Sequence, residues 1–444
     1  MEKRKTSKKL LFGWPTRTIA ITVFAVMMGY ATYFATDYMG LSTMTVGILF
    51  MVSKIFDGFT DVMAGYIIEK AHFRTGKGRP FELALIGYGL GIVLLYGAPK
   101  MGIGASYVYL FVMYTLINSG FLTLLNCAEP VYMSNAIEDS GDSVTLSSLC
   151  GLIGMVVSVA AGVVIPQLIK NLADTPNGWL KISAMVAVPC TLIGMIRFLM
   201  VKEKQYAEKK VDHQVTLKDM FQAITGNKYI IIFACIGLVS NIGSGIAGSV
   251  GMYYAQYIIG DVGAQSLISM ATLSAFVGIL AVQILAPKFG MVRIMKVMTV
   301  LGLIGYIARL FAPRNLMYVF ATCCLATLAF TVMFSFVYTF VIDCMDYGEW
   351  KSGVRNEGAI SCAQSVTSKI GTAIGAGMTG ILMGISGYNG SLAVQSESAN
   401  LMIIGMSTVI PAIFCVIQLI LLHFYDLDKM IPQIRKELAE KSAK

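Results

Sequence analysis

Three charged residues lie within one apolar segment and could together bind a cation. The segment runs from Val46 to Ile68, long enough to cross a bilayer, and contains Lys54, Asp57 and Asp61. Residues four apart share a helix face, so the carboxylates face one side and Lys54 lies one turn before them. A charge at the bilayer centre costs about 2.5–3.5 kcal/mol, which makes a functional role the default. The alternative is a helix that begins later, with Lys54 and Asp57 among the headgroups.

A second polar face lies in a later apolar segment. Its hydroxyl residues recur at spacings of four, three and four, at Ser361, Ser365, Ser368 and Thr372. Lys369 borders this face, about three turns from Glu357. A lysine at that depth needs a carboxylate, a water-filled cavity or a substrate as partner, unless its side chain extends to the interface.

Further polar side chains in apolar segments are candidates for substrate binding. Tyr30 and Tyr33 could stack on a sugar ring, or could belong to an interfacial aromatic belt. Tyr114 and Asn118 share one helix face. Glu129 is either a buried acid or the first residue of a loop, and we favour the loop.

Another apolar segment contains S-N-I-G-S-G-I-A-G-S-V-G, a sequence that would form a poor helix in water. Small residues in a membrane helix permit close packing, flexing or a break. Asn241 and Gln256 in or near this stretch are candidates to face a cavity.

Composition excludes a soluble enzyme. The 444 residues are 56% hydrophobic and 13% charged, whereas soluble domains contain about 25% charged residues. The nine cysteines form no C-x-x-C motif, and neither a His/Cys cluster nor a nucleophile motif is present. We therefore expect an all-α membrane protein that is not an enzyme and has neither a metal centre nor an organic cofactor.

The apolar segments predict twelve transmembrane helices. With a window of about 20 residues, they cover 18–38, 44–68, 82–98, 104–128, 146–168, 180–201, 229–257, 264–286, 291–312, 316–342, 357–385 and 400–424. One polar linker divides them, which predicts a first bundle over 1–201, a cytoplasmic loop over 202–228 and a second bundle with a cytoplasmic tail over 229–444.

Lys and Arg predict the orientation. They concentrate in the N-terminal tail through Arg17, in the loop 70–79, between Arg197 and Lys228, and in the C-terminal tail. This bias places both termini in the cytoplasm of a cell whose plasma or inner membrane holds the chain. The net charge of +9 therefore reflects topology, and we expect no nucleic-acid partner.

Loops at equivalent positions of the two halves resemble each other. G-Y-I-I-E-K-A-H-F-R-T-G-K after span 2 is echoed by A-P-K-F-G-M-V-R after span 8. The acidic turn E-P-V-Y-M-S-N-A-I-E-D-S-G-D after span 4 is echoed by D-C-M-D-Y-G-E-W-K-S-G-V-R-N-E after span 10. This repetition predicts two related six-helix bundles.

Two blocks resemble the glycoside–pentoside–hexuronide:cation symporters of the major facilitator superfamily. They are K-I-F-D-G-F-T-D with R-T-G-K-G-R-P-F, and M-D-Y-G-E-W-K-S-G-V-R-N-E-G with Q-S-V-T-S-K-I-G-T-A. The resemblance extends over the whole chain. It implies the major facilitator fold of two six-helix bundles. It also implies a functional monomer that imports a sugar or glycoside together with Na⁺ or H⁺ by alternating access.

The resemblance also implies roles for individual residues. Asp57 and Asp61 match the acids that hold the coupling cation, and Thr60 sits where the melibiose carrier has an asparagine. Lys54 matches a basic position of the family. Lys369 matches a lysine linked to the cation and sugar sites. Arg355 matches a loop arginine that would act as a gate or ion-pair partner.

The chain also departs from the family's sugar-binding residues. The first span reads P-T-R-T-I-A-I-T without an acid, Ala128 replaces an acid before a proline, and Cys150 lies where an arginine is expected. Whether Glu129 replaces the missing acids stays open, as does the choice between Na⁺ and H⁺. The alternative to a sugar is a non-sugar solute, either an organic acid or a lipid-like molecule.

Overall fold

A computed structural model describes residues 7–71, 73, 75–137, 140–203, 227–352 and 357–442. These residues are almost entirely helical, and the β pairing among them is limited to one isolated bridge between Phe73 and Gly76.

The first half is a series of helices joined by short turns. They are α1 Lys8–Gly13, α2 Pro15–Gly29, α3 Ala31–Tyr33, α4 Thr43–Lys70, α5 Ala84–Tyr96, α6 Ile103–Thr115, α7 Thr123–Ala136, α8 Ser140–Leu172 and α9 Gly178–Met200. Two π-helical turns, π1 Phe34–Tyr38 and π2 Leu116–Leu122, continue α3 and α6, and a 3₁₀ helix covers Arg79–Leu83.

The second half has the same character. Its helices are α10 Lys228–Tyr253, α11 Ala264–Met270, α12 Leu273–Phe289, α13 Met291–Ala308, α14 Leu316–Ala326, α15 Leu328–Ser352, α16 Glu357–Ile385, α17 Glu397–Ser407, α18 Val409–Phe424 and α19 Leu427–Ser442. A third π-helical turn, π3 Tyr254–Ile259, continues α10, and a 3₁₀ turn covers Arg309–Phe311.

Nine helical stretches in the described chain are long and apolar enough to span a bilayer. Three further helical stretches are consistent with the predicted total of twelve: α4, which carries Lys54, Asp57 and Asp61, the pair α14–α15, and α16 with its 29 residues. The predicted all-α membrane fold is confirmed.

One predicted boundary is wrong. We expected Glu129 to begin a loop, but α7 continues to Ala136 and places Glu129 within the helix, directly before Pro130. A proline removes one backbone hydrogen bond, which neighbouring helices make tolerable in membrane proteins. Glu129 is therefore held inside a helix bundle.

The first span of each half ends in the same way. π1 is followed by Gly40 with φ +67°, and π3 is followed by Gly260 with φ +88°. Positive φ favours glycine because it has no Cβ. This shared ending adds a third pair of equivalent positions to the two loop pairs found in the sequence.

The chain forms two compact units. One contains Met1–Lys209 with Asp261–Ser269 and Tyr388–Gln395, and the other contains Lys210–Gly260, Met270–Gly387 and Ser396–Lys444. We call them unit 1 and unit 2. In unit 2, α10 and α16 approach so closely that a Cβ on Gly371 would lie 2.6 Å from the Cβ of Asn241. Small residues permit such contact between membrane helices.

Candidate functional site

Asp57 lies on the face of α4 that packs into unit 1. Val46, Phe50, Ser53 and Ala64 lie on the same buried face, at helical spacing. Helices α6 and α7 and the π2 turn contact α4. The segment is therefore a helix, and Asp57 is a polar position on its packed face.

The Asp57 carboxylate has a different partner at each oxygen. Oδ1 accepts a hydrogen bond from the Ser119 hydroxyl, and Oδ2 lies 3.2 Å from the Lys54 ammonium. The side chains of Lys54 and Asp57 are 20% and 11% exposed. A charge that is nearly out of water needs such partners, because desolvation otherwise costs several kcal/mol.

The Lys54 ammonium is shared between two oxygens. Nζ lies 3.2 Å from Asn118 Oδ1 as well as from Asp57 Oδ2, and 5.8 Å from the centroid of the Tyr114 ring. The Asn118 amide donates in turn to the Tyr114 carbonyl, which orients the amide oxygen. We refer to Lys54, Asp57, Asn118 and Ser119 as the Asp57 cluster.

The π2 turn places two members of this cluster. Both Asn118 and Ser119 lie within Leu116–Leu122, where the extra residue of a π turn rotates consecutive side chains toward α4. Ser119 also lies 3.4 Å from the Ser53 carbonyl, and Thr115 donates to the Ser53 hydroxyl at 2.9 Å. Single π turns are frequent at functional sites, which fits this position.

The other predicted cation ligands lie one turn further along α4. Asp61 is half-buried, and its carbonyl lies 3.9 Å from the Cys127 sulfur. The Thr60 hydroxyl donates to the carbonyls of Phe56 and Asp57 at 3.2 Å each, so its hydrogen is directed to its own helix.

Unit 1 contains a second ionic group that sequence reasoning missed. Arg17 lies 3.0 Å from Glu82 and is also paired with Glu129, while Arg197 donates to both oxygens of Glu129 at 3.1 and 2.7 Å. We call these four residues the arginine–glutamate quartet. It ties together α2, α7, α9 and the 3₁₀ helix Arg79–Leu83.

The surrounding protein encloses three of the four quartet side chains. The side chains of Arg17, Glu82 and Arg197 are 2–4% exposed, and only Glu129 reaches 31%. The Arg197 guanidinium lies 3.5 Å from the centroid of Trp14, a cation–π contact. A group so enclosed has the properties of a fixed structural tie.

The quartet changes how four charged residues of the sequence are interpreted. Arg17 and Arg197 were counted with cytoplasmic loop charges, but both are buried partners of Glu129. Glu82 opens an apolar span, so the rule that singled out Asp57 also applied to it. Glu129, a candidate for substrate binding, is held by two arginines.

The candidate tyrosines have separate surroundings. Tyr114 stacks on Phe50 at 3.8 Å between centroids and borders the Asp57 cluster. Tyr33 is buried beside Trp179 and Tyr38, in an aromatic group of unit 1. Tyr30 is buried at the end of α2.

In unit 2 the structure brings two predicted polar residues together. Ser368 Oγ lies 3.3 Å from Asn241 Oδ1, across the close contact of α10 and α16. The Thr372 hydroxyl donates to the carbonyls of Ser368 and Lys369 at 3.0 Å each. Gln256 lies in π3, half-buried.

Lys369 is a half-buried residue within the continuous helix α16. It belongs to unit 2 and Asp57 to unit 1, so its pairing with the acids of α4 stays a prediction. The side chain of Ser365 and the whole of Arg355 lie outside the described residues.

The Asp57 cluster brings several oxygen atoms together. It presents carboxylate, amide and hydroxyl oxygens, the ligands that hard cations prefer. Among the described residues, no group of three or more His, Cys, Asp or Glu side chains could hold a metal ion.

The chain is similar in sequence to known transporters. The isoprimeverose transporter of Lactiplantibacillus pentosus is 26% identical over 429 residues, which cover 95% of this chain and 88% of that protein. An uncharacterized symporter of Bacillus subtilis (strain 168) is 23% identical over 417 residues, covering 92% and 89%.

The solved structures show the fold. A bacterial homologue of the human lysosomal transporter Spinster, inward-facing and unoccupied, superposes with a TM-score of 0.66 at 12% identity, covering 97% of this chain and 98% of its own. The sequence profile of the family described as MFS/sugar transport protein matches residues 12–429. The chain therefore belongs to the MFS/sugar transport protein family, a family of transporters rather than enzymes.

Proposed function

We propose that this protein imports a sugar or glycoside by alternating access, driven by inward movement of Na⁺ or H⁺. The observation that carries the proposal is the Asp57 cluster: an almost buried carboxylate within a membrane helix, bound by a hydroxyl and an ammonium. An intramembrane ionisable group marks an ion pathway by default. The description of the family supports the sugar, and the name of the Bacillus subtilis relative supports symport.

The energy source follows from two acids on one helix face. Asp57 and Asp61 repel each other when both are ionised, and a bound cation removes that penalty. One charge that moves inward gains about 2.3 kcal/mol per 100 mV of membrane potential. In this proposal Thr60, Lys54, Lys369 and Arg355 assist the acids, either as a ligand or as charged partners.

Each unit contains polar residues that this proposal assigns to substrate binding. The contact of Ser368 with Asn241 supplies a hydroxyl and an amide in unit 2. In unit 1, the Asn118 amide and the Tyr114 ring lie beside the proposed cation site, so substrate and cation would share a boundary. The name of the Lactiplantibacillus pentosus relative supports a glycoside as substrate.

A non-sugar solute, such as an organic acid or a lipid-like molecule, is the second candidate. It is favoured by the state of Glu129, whose carboxylate already accepts hydrogen bonds from Arg197 and pairs with Arg17. An acid so occupied has fewer lone pairs left for sugar hydroxyls.

The setting we propose is the plasma or inner membrane, with both termini in the cytoplasm and the monomer as the functional form. The Lys and Arg distribution supports the orientation, even with the buried Arg17 and Arg197 removed from the tally. The coupling ion is the only inorganic partner that the mechanism needs.

Counterflow in proteoliposomes tests the function. Purified protein is reconstituted with internal unlabelled solute, and uptake of labelled sugars, glycosides and organic acids is measured with and without Na⁺, at pH 6 and pH 8. We expect cation-dependent exchange of at least one sugar or glycoside. Exchange of organic acids alone would replace the sugar proposal with the second candidate, and exchange that ignores both Na⁺ and pH would exclude cation coupling.

A further inference from the structure

Lys54 occupies the oxygens that the proposed coupling cation would need. We propose that Lys54 is a tethered competitor of that cation, so that the ammonium and the cation alternate on Asp57. This inference rests on the proposed function, because it assigns the regulation of the same cation site. It starts from one contact, the 3.2 Å between Lys54 Nζ and Asp57 Oδ2.

The competitor is built into a single helix. Lys54 and Asp57 are three residues apart on α4, so a one-turn contact brings them together without help from another helix. A tethered group acts at a fixed, high effective concentration. A cation can therefore bind Asp57 only by displacing this ammonium.

The two cations compete for the same carboxylate oxygen, Asp57 Oδ2. The ammonium lies between one carboxylate oxygen and one amide oxygen, each 3.2 Å away, while Ser119 holds the other carboxylate oxygen. Oxygen ligands of this kind also suit a monovalent metal ion. The ammonium takes Asp57 Oδ2 and the Ser119 hydroxyl takes Oδ1, so a cation that binds Oδ2 has to displace the ammonium.

The displaced ammonium keeps other partners. Asn118 Oδ1 and the face of the Tyr114 ring remain beside Nζ, and the Lys54 side chain is 20% exposed. A small shift of the ammonium toward Asn118 therefore releases Asp57 without stranding a buried charge. This makes the exchange reversible, whereas a sealed pair would have to be broken at full cost.

Exchange has a consequence for the transport cycle. When no cation is bound, Lys54 neutralises Asp57, so the empty carrier does not expose an unpaired carboxylate to a medium of low dielectric constant. The empty carrier can then change conformation and return. Without Lys54 the return step should be slow, while exchange of loaded carriers, which bypasses it, should continue.

The test compares Lys54→Gln with wild type in proteoliposomes. For whichever of Na⁺ or H⁺ activates wild-type counterflow, we expect Lys54→Gln to lower the half-activating concentration by about tenfold, the factor expected for loss of one charge-assisted hydrogen bond. We also expect net uptake into solute-free vesicles to fall at least several-fold relative to counterflow. A purely structural lysine would lower both rates together.

Two controls sharpen the result. Lys54→Arg keeps the charge and should keep the wild-type half-activating concentration to within about threefold, while Lys70→Gln removes a lysine at the exposed end of the same helix and should change nothing. If wild type responds to a cation and Asp57→Asn abolishes the response, but Lys54→Gln binds more weakly or unchanged, the competitor role is overturned and the proposed function survives. If wild type responds to neither cation, the proposed function fails and the inference with it.

Discussion

The Asp57 cluster and the arginine–glutamate quartet are ionic groups of the same unit, yet the protein encloses them to different degrees. The Lys54 and Asp57 side chains are 20% and 11% exposed, whereas Arg17 and Glu82 are 4% and 2% exposed. The quartet links four elements of the fold, whereas the Lys54–Asp57 pair links two positions of one helix.

The two groups differ in whether their charges can exchange partners or hold helices together. Removing one member of a buried pair leaves an uncompensated charge and costs about 3–5 kcal/mol. The quartet therefore fixes the relative positions of α2, α7, α9 and the 3₁₀ helix. The charges of the Asp57 cluster are partly exposed and have alternative partners, so they can be exchanged.

The largest expected effect is at Asp57. Asp57→Asn, and likewise Asp61→Asn, should abolish uphill accumulation because each removes an acid from the proposed cation site. Protein amount in the membrane should stay near the wild-type level, since the partly exposed cluster is not the structural tie. Accumulation ratio in energised vesicles and immunoblot intensity provide the two readouts.

Asp261→Asn is the matched control for that prediction, because Asp261 is an exposed acid in a loop. It should transport at the wild-type level. Unchanged accumulation in both α4 variants would remove Asp57 and Asp61 from the cation site.

The second effect concerns stability. Arg197→Gln should lower the free energy of unfolding by about 3–5 kcal/mol, because it removes the buried guanidinium that donates two hydrogen bonds to Glu129. The substitution also removes the cation–π contact between Arg197 and Trp14. Thermal unfolding in detergent would show a lowered Tm, while counterflow per folded molecule should stay close to wild type.

Lys181→Gln on the same helix serves as the control, since Lys181 is exposed and should leave Tm nearly unchanged. A wild-type Tm for Arg197→Gln would show that the quartet is not a structural tie. A wild-type Tm together with lost transport would make the quartet a functional group and remove the contrast with the Asp57 cluster.

The third effect tests a link between Lys369 and the Asp57 cluster. Lys369 lies twelve residues from the start of α16, about three turns from the helix end, and a lysine side chain spans only about one turn. Lys369→Ala should therefore change cation affinity and accumulation together while protein amount stays near normal. The double variant Lys369→Ala with Asp57→Asn should be non-additive in cation binding, as expected of energetically coupled residues. Strict additivity would return Lys369 to a structural role.

The sequence predicts one of the two groups and misses the other for a physical reason. Asp57 and Lys54 are three residues apart, so helix periodicity alone places them on one face. Arg17 and Glu129 are separated by 112 residues and Glu129 and Arg197 by 68, so only the packing of the bundle brings them together. Each of these charges lies near the end of an apolar segment, where it resembles a loop residue.

Ser119 is another residue that could not be assigned to its site from the sequence. The sequence analysis singled out Asn118 on a regular helix face, but the π2 turn shifts the register so that Ser119 also meets Asp57. A single inserted residue in a helical turn leaves no periodic signal. The apolar spans were predictable because each depends on local composition summed over about 20 residues.

A third ion pair, Lys170 with Asp261, extends the comparison to an exposed setting and predicts the smallest effect. Nζ lies 2.8 Å from Oδ2, and the side chains are 45% and 47% exposed. The hydrogen bond from Lys170, aided by the Gly263 N–H, lowers the pKa of Asp261 below its usual value. A lowered pKa in the folded state means that the pair stabilises the fold above the unfolded-state pKa, and that this stabilisation disappears as the pH falls through the folded-state value.

Lys170→Gln should therefore lower Tm by about 1 °C or less at pH 7, because an exposed pair contributes only a few tenths of a kcal/mol. The small difference should shrink as the pH falls through the folded-state pKa of Asp261, where the carboxylate takes up a proton and loses its attraction to Lys170. It should also shrink in high salt because exposed charges are screened. Thermal unfolding of the two proteins at pH 7 and pH 3, with low and high salt, measures both trends. A loss at pH 7 as large as that of Arg197→Gln would contradict the rule drawn from the two buried groups, that enclosure rather than hydrogen-bond distance sets what an ion pair contributes in this bundle.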